Sequence, residues 1–379
     1  MKIVLIGPTY PFRGGIAHYT TLLCRALRKN HEVKFISFKR QYPKLLFPGK
    51  SDYDSSKVPI LDDDVEPMLD SLNPLTWIET ARKVSRSTPD LLILPWWVTF
   101  WVPQFWTILK CVNRSRTKIL FICHNVISHE SRWYYRIGTR LVLKGGDFFV
   151  VHSEEERQRL LALIPGAKVA KLFHPTYEIF HSGISKEEAR QRLGVSGDVL
   201  LFFGFVRPYK GLMTLLEAMP KILELRPATL LVVGEFWEDK DIYLKRMADL
   251  KLSEHIRILD AYVPNEDVDA YFAASDLVVQ PYVSVTGSGI VQVAFGCERP
   301  VVVTHVGCLP EVVADGKTGY VVPPQDPDAI ADAVLRFLKG DREEFIAAIR
   351  EQVKRFSWER MVDMIESLAC QHENGEAIL

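Results

Sequence analysis
The sequence predicts an α/β protein made of two Rossmann-like domains, each a parallel sheet covered by helices. Apolar runs of strand length alternate with helical patterns in the first half of the chain, and the same alternation restarts near Val199. At 379 residues the chain is also long enough for two domains of ordinary size.

The first run, Ile3–Ile6, is too short for the apolar core of a signal peptide and reads as a buried strand. Ile16–Arg28 has helical spacing. Glu32–Ser37, Leu91–Leu94, Lys118–Cys123 and Asp147–Val151 read as further strands, each bounded by turn or helix signals. In the second half, Val199–Gly204, Thr229–Gly234, His255–Leu259, Leu277–Gln280, Val301–Val303 and Gly319–Val322 are strands with helices between them. The junction falls near Phe173–Gly197. Ser153 with Glu156, and Ser185 with Glu188, have the spacing of a capping box and open helices on either side of it. The expected domains are residues 1–175 and 176–356. A final amphipathic helix, Trp358–Ala369 within about 357–371, is joined to the first, and the tail from Gln371 is polar. No internal repeat and no low-complexity tract interrupts this plan.

Composition narrows the function classes. With 47% hydrophobic and 25% charged residues the chain is an ordinary globular protein, which excludes disorder and collagen-like repeats. Lys plus Arg is 47 and Asp plus Glu is 47, so bulk positive charge for nucleic-acid binding is absent. The zero conceals an asymmetry. Residues 1–180 hold 26 basic and 16 acidic residues, a balance of +10, which leaves 21 and 31, a balance of −10, for the rest. Two domains with different partners, or drift in surface composition, account for it equally well. The six cysteines are scattered, without a CxxC pair or zinc-ligand spacing, as suits buried thiols in a reducing compartment.

Leu91 to Leu109 is nineteen residues without a charge, near transmembrane length. Pro95 and Pro103 interrupt it, and Trp96, Trp97, Trp101 and Trp106 crowd its middle, whereas a spanning helix keeps its Trp at the ends. It reads as a strand, a loop and a helix starting near Pro103. Arg114, Arg116 and Lys118 follow, and Arg132, Arg136, Arg140 and Lys144 recur at helical spacing. Aromatic plus basic surface favours contact with an anionic membrane, slightly ahead of a core lining under a long loop.

Three small-residue loops leave strands and enter helices. Gly7 to Gly15 includes the pair Gly14-Gly15 but does not match GxGxxG, so it indicates ligand approach at a helix N-terminus rather than a dinucleotide. Phe203 to Gly211 holds the same place in the second half and adds two cations. Arg207 suits bidentate phosphate contact and Lys210 serves as a point charge. Thr286-Gly287-Ser288-Gly289 precedes the apolar helix Ile290–Phe295. His124 directly follows a strand, at the edge where α/β sheets bind ligands. A lone His is more often structural, and this position makes catalysis an equal alternative. His129 and Glu130 are candidates to line the same cleft. Asp62-Asp63-Asp64 reads as a solvated charge run rather than a metal cluster, and no metal is expected.

In their order along nearly the whole chain these residues resemble the retaining glycosyltransferases of the GT-B fold, family 4. The resemblance rests on the Gly14-Gly15 loop, Arg207 with Lys210-Gly211, Tyr262-Val263-Pro264, the 284–303 segment, Val306 to Val313, Ala314 to Pro324, and Phe356-Ser357-Trp358. It implies two Rossmann-like domains with a cleft between them and a final helix crossing back to the N-terminal domain. A nucleoside-diphosphate sugar would lie in the cleft as substrate, with no cofactor and no metal. Arg207 and Lys210 would hold its diphosphate and stabilise the leaving charge, and Gly14 and Gly15 would add backbone N–H groups. Gly204 would face the donor, and Tyr262 and Val263 would flank the base. His124 would lie near the transferred sugar and the acceptor.

The sequence departs from the family pattern at its two glutamates, whose places are taken by Val285 and Val293, and at its usual arginine, replaced by Phe205. Gln292, Ser288 and the backbone of Gly287–Gly289 are the groups left to take over from the glutamates, and Arg207 from the arginine. The resemblance implies a metal-independent hexosyltransferase acting on a lipid-linked or polysaccharide-precursor acceptor. It would be cytoplasmic and peripheral at the inner membrane face, without a nucleic-acid partner. The rival readings are a nucleotide-sugar-binding pseudoenzyme or partner subunit of a glycan-assembly complex and, more weakly, an epimerase or phosphorylase of the same fold.

Overall fold
A computed structural model of the chain describes residues 1–43, 49–127 and 133–370. The chain divides into two compact units. One comprises Met1–Asp54, Pro59–Phe173 and the stretch from Trp358 on, and the other Ser55–Val58 and His174–Ser357.

In the first unit the chain runs β1 (Lys2–Ile6), α1 (Gly15–Arg28), β2 (Glu32–Arg40), β3 (Val65–Asp70), α2 (Pro74–Ser87) and β4 (Leu91–Trp96). It continues through α3 (Val102–Cys111), β5 (Lys118–Cys123), α4 (Trp133–Leu143), β6 (Phe148–Val151), α5 (Glu154–Leu163) and β7 (Val169–Lys171). The described strands form one parallel sheet in the order β3-β2-β1-β4-β5-β6-β7. Its central strands are buried on both faces, so they read as continuous apolar runs. The order reverses between β1 and β4. The loop carrying Gly14 and Gly15 leaves β1 at this switch point, where open α/β sheets take ligands.

The second unit repeats the plan: α6 (Lys186–Leu193), β8 (Asp198–Phe203), α7 (Leu212–Leu225), β9 (Ala228–Val233), α8 (Asp241–Asp249), β10 (Ile256–Leu259) and α9 (Asn265–Ala274). Then come β11 (Leu277–Gln280), α10 (Gly289–Gly296), β12 (Val301–Thr304), α11 (Leu309–Val312), β13 (Gly319–Val322), α12 (Pro327–Lys339) and α13 (Arg342–Gln352). The sheet order is β10-β9-β8-β11-β12-β13, with its reversal between β8 and β11. The loops after those two strands, 204–211 and 281–288, are the two candidate anion-binding loops of this half.

The last helix, α14 (Trp358–Cys370), belongs to the first unit. Its apolar stripe Met361, Val362, Ile365 and Leu368 enters the core that α1 covers. The Trp358 ring stands edge-on to Tyr19, and Glu359 and Glu366 reach Lys29 and His31, each at 2.8 Å.

Four features differ from the sequence expectations. The strands β3 and β7 went unseen because both are edge strands: one contains Pro67 and Glu66, the other is three residues long. Within the Trp-rich stretch, Trp96 and Trp101 are fully buried in the core of the first unit, so half of its tryptophans line the core rather than a surface. Asp62 is not solvated. Its buried carboxylate takes the Arg28 guanidinium, which also donates to the Asp64 carbonyl at 2.9 Å. The capping box at Ser153 is half made. Ser153 Oγ accepts the Glu156 N–H at 3.1 Å, but the Glu156 carboxylate turns to Arg159 and to the Val126 N–H. His129, Glu130 and Arg132 lie outside the described residues. Among the described residues, no helix is long and apolar enough to cross a membrane.

Candidate functional site
In the second unit the β8 and β9 strands keep pairing beyond their ends. Gly204 N donates to Val233 O and Val206 N to Glu235 O, both at 2.9 Å, and Trp237 N returns to Val206 O at 3.1 Å. This extension needs Gly234, at φ 150°, because a Cβ there would collide with the Gly204 carbonyl. Phe205 and Arg207, two residues apart in extended chain, therefore share one face. Both lie against Trp237: Phe205 stacks at 4.2 Å between centroids, and the Arg207 guanidinium sits 4.3 Å from the indole centroid. Trp237 thus orients Arg207 through cation–π attraction and leaves its N–H groups unspent. Among the described residues no carboxylate pairs with Arg207. By contrast Arg190, Arg226, Arg342 and Arg350 of the same unit each hold an aspartate or glutamate.

Lys210 closes the helical turn Pro208–Lys210, and Gly211, at φ 73°, then enters α7. A Cβ on Gly211 would collide with the carbonyl of Pro281, so the loop after β8 touches the loop after β11 backbone to backbone. The same approach carries Lys210 to Tyr282. Its Nζ donates to the Tyr282 hydroxyl at 2.9 Å and lies 4.1 Å from the ring centroid. The Tyr282 hydroxyl is 3.2 Å from Ser288 Oγ, which caps α10 by accepting the Val291 N–H at 3.4 Å. Donors can be ordered along this chain. The ammonium donates to Tyr282, Tyr282 donates to Ser288, and the Ser288 proton is left for a ligand oxygen. Burial of its ammonium end lowers the Lys210 pKa, with Arg207 adding to the effect and Tyr209 opposing it, and burial raises that of Tyr282.

The remaining candidates of this unit divide. Gly287 is exposed and Gly289 half-buried beside Ser288 at the start of α10. Tyr262 is half-buried after β10, whereas the Val263 side chain is 7% exposed, so little beyond its backbone is available. Gln292 is fully buried inside α10, with its Oε1 unpartnered. Val293 is likewise buried, so of the groups left to replace the family glutamates, Ser288 and the exposed backbone beside it are the accessible ones.

In the first unit, Gly14 caps α1 without a side chain, and the space where a Cβ would stand at Gly14 and Gly15 is open to 4 Å. The first turn of α1 has no acidic residue, so no carboxylate of its own helix competes for an anion there. His124 is half-buried at the end of β5, its N–H bonded to Trp96 O at 2.8 Å. Its ring stands edge-on to Tyr19 at 4.5 Å and lies 5.1 Å from His152. Burial lowers the His152 pKa to about 4, partly offset by its Nδ1–H bond to Leu172 O at 2.8 Å, so His152 is a neutral prop at ordinary pH. Glu156 and Trp96 hold the backbone two residues past His124, at Val126.

Sequence reasoning missed Tyr282, Trp237 and Tyr19. Each is an aromatic residue whose partner lies far along the chain, and nothing in local spacing marks it.

Residues 13–171 match the model of Glycosyltransferase Family 4, and residues 197–340 that of the Glycosyl transferases group 1. The chain belongs to glycosyltransferase family 4. It is 30% identical over 274 residues to a D-inositol 3-phosphate glycosyltransferase of Corynebacterium urealyticum, covering 65% of this chain and 62% of that protein. It is 34% identical over 174 residues to a phosphatidyl-myo-inositol mannosyltransferase of Mycobacterium leprae, covering 45% of each. The chain spans about three fifths of the length of the first curated relatives it matches. Among solved structures, sucrose-phosphate synthase from Thermosynechococcus elongatus matches with a TM-score of 0.74 at 19% identity, over 99% of this chain and 100% of that one. Anabaena HepE in complex with UDP matches with a TM-score of 0.73 at 19% identity, over 97% and 99%. The fold of this family member is therefore GT-B.

Tyr282→Phe removes the acceptor of the Lys210 ammonium and the donor to Ser288. It is expected to lower folding stability in urea denaturation by about 1–3 kcal/mol. It should also move the Lys210 titration, followed by NMR, further below the usual lysine range. An unchanged Lys210 titration would contradict the assigned contact.

Proposed function
We propose that the protein is a retaining, metal-independent glycosyltransferase. It would move a sugar from a nucleoside-diphosphate sugar to a lipid-linked or polysaccharide-precursor acceptor. The observation that carries this reading is the pair Arg207 and Lys210, two cations that no carboxylate among the described residues pairs, at the switch point of the second sheet. In the reaction, the bond from the anomeric carbon to the diphosphate oxygen breaks. The acceptor hydroxyl oxygen bonds to that carbon, and its proton passes to the departing diphosphate. Negative charge grows on the phosphate during this step, and fixed cations aimed there lower the barrier without a metal ion. Ser288 and the N-terminus of α10 supply further donors. His124, braced by Tyr19 and His152, would act on the sugar or acceptor side. The UDP and UDP-glucose complexes of Anabaena HepE support a nucleotide-sugar donor. The relative named for phosphatidyl-myo-inositol supports a lipid-bearing acceptor.

The test is nucleotide release. Purified protein mixed with a panel of UDP-sugars and GDP-mannose should liberate UDP or GDP from one of them. Arg207→Ala and Lys210→Ala should each lower kcat by about 10²–10³-fold. Folded protein that releases nucleotide from none of them would sink the enzymatic reading. The two valines, Val285 and Val293, favour a second reading, a nucleotide-sugar-binding partner without turnover. Calorimetric binding of the nucleoside diphosphate without any release would establish it.

We further propose that α4 lies against an anionic membrane at the cytoplasmic face. Trp133, Tyr134, Ile137 and Leu141 are exposed on it beside Arg136, Arg140 and the following Lys144. The packed neighbour α3 adds exposed Trp106, with Lys110 over its ring at 5.8 Å. Neither helix contains an acidic residue. Such a face combines interfacial aromatics with about 1 kcal/mol of attraction per basic side chain near an anionic surface. The protein should co-sediment with phosphatidylserine-containing liposomes at low salt and release at high salt. The Trp133→Ser/Leu141→Ser variant should bind about 10-fold more weakly, given the apolar area it loses. Equal sedimentation by that variant would rule out this face.

A further inference from the structure
The chain brings together three metal-ligating side chains that are far apart in sequence. His181 follows the short helical turn Glu178–Phe180, Asp269 lies in the second turn of α9, and Cys297 caps the C-terminal end of α10. Their ligand atoms all lie within 4.8 Å of one another, and His181 Nδ1 is 3.6 Å from Asp269 Oδ1. The two carboxylate oxygens of Asp269 are in different situations. Oδ2 is saturated: it accepts from Ser182 N at 2.6 Å, Ser182 Oγ at 2.7 Å and Gly183 N at 3.1 Å. Oδ1, on a side chain only 3% exposed, is buried, takes no N–H or O–H donor among the described residues, and faces His181 and the Cys297 thiol.

We propose that His181, Asp269 and Cys297 form a site for a borderline transition-metal cation of the Zn2+ type. One imidazole nitrogen, one carboxylate oxygen and one thiolate are the donor set that zinc accepts, and solvent completes the tetrahedron on the open side beside the exposed His181. Around a tetrahedral zinc, neighbouring ligand atoms stand roughly 3.3–3.6 Å apart, so closing the trio requires movements of roughly 1 Å at most. The Asp269 clamp on Ser182 and Gly183 already fixes the carboxylate and the loop that carries His181, as an outer shell of hydrogen bonds does in metal sites.

Binding forms the N–, O– and S–metal bonds and releases one proton, that of the Cys297 thiol, to solvent. Affinity therefore rises with pH. The other charges nearby are Arg299, Asp276 and the Glu298–Arg350 pair. With metal bound and the thiol ionised, the trio passes from a net charge of −1 to zero, which these groups tolerate. The site would pin the C-terminal end of the helix whose N-terminal end is capped by Ser288. It would be structural and take no part in nucleotide chemistry.

The test uses the full chain, stripped with chelator and titrated with Co2+ and then Zn2+. One equivalent of Co2+ should produce thiolate-to-cobalt charge-transfer absorption, Zn2+ should displace it, and about one proton should be released per metal bound. Cys297→Ser should abolish the absorption. His181→Ala, at an exposed position where folding is little affected, should weaken binding by more than the roughly 10–100-fold that loss of an outer-shell partner costs. Absorption that is absent in the wild type, or that persists in Cys297→Ser, would overturn the proposal. The trio would then be a buried thiol–carboxylate contact beside a surface histidine.

Discussion
Two backbone collisions that only glycine avoids hold the second unit's candidate site together. The chain at Gly211 lies against the Pro281 carbonyl, and the chain at Gly234 lies against that of Gly204. Through them the loops after β8, β9 and β11 meet main chain to main chain at the point where the sheet order reverses. Everything specific to the site follows from that approach. It puts Trp237 under Arg207, and it puts Tyr282 within reach of Lys210 on one side and Ser288 on the other. An alanine at either glycine would have to push a strand end outward, and the two cations would part from the aromatic rings that orient them.

The charge asymmetry of the sequence acquires a physical meaning here. The acidic half of the chain carries the loops proposed to meet a diphosphate, so overall attraction cannot deliver such a ligand. Several arginines there are committed to carboxylates, as Arg190 and Arg342 are to the buried Asp276. Arg207 and Lys210 are held by aromatic side chains instead, which orient a cation without neutralising it. A cation kept uncompensated and partly desolvated interacts more strongly with an arriving anion than one already paired. In the basic half, α4 sets exposed Arg136 and Arg140 among aromatic and aliphatic side chains, an arrangement suited to an interface rather than to a small anion.

The fold was largely legible because parallel strands buried on both faces are short continuous apolar runs. Lys118–Cys123, Leu277–Gln280 and Gly319–Val322 are found with the bounds that hydrophobicity alone assigns them. Edge strands lack that signature, and Val65–Asp70, with a proline and two acidic residues, reads as loop. At the site, the loops and their cations could be read from glycine and charge next to strand ends. What held those cations could not, because Trp237 and Tyr282 lie 30 or more residues away in sequence from the side chains they orient. The same holds for His181, Asp269 and Cys297, whose spacing matches no zinc pattern. Charge runs and tryptophan clusters misled for a related reason: exposure is a property of packing. Asp62 is buried by one arginine from α1, and Trp101 by the aromatic side chains around it.

The central claim is that Arg207 and Lys210 together recognise a diphosphate. Calorimetric comparison of a nucleoside diphosphate with its monophosphate, on the wild type and on Arg207→Ala, tests it most directly. A charge-assisted hydrogen bond contributes about 1.5–3 kcal/mol, so the diphosphate should bind the wild type about 10–100-fold more tightly than the monophosphate. Arg207→Ala should erase most of that margin while leaving monophosphate affinity nearly unchanged. Equal affinities for the two nucleotides in the wild type, or a margin that survives in Arg207→Ala, would contradict the account.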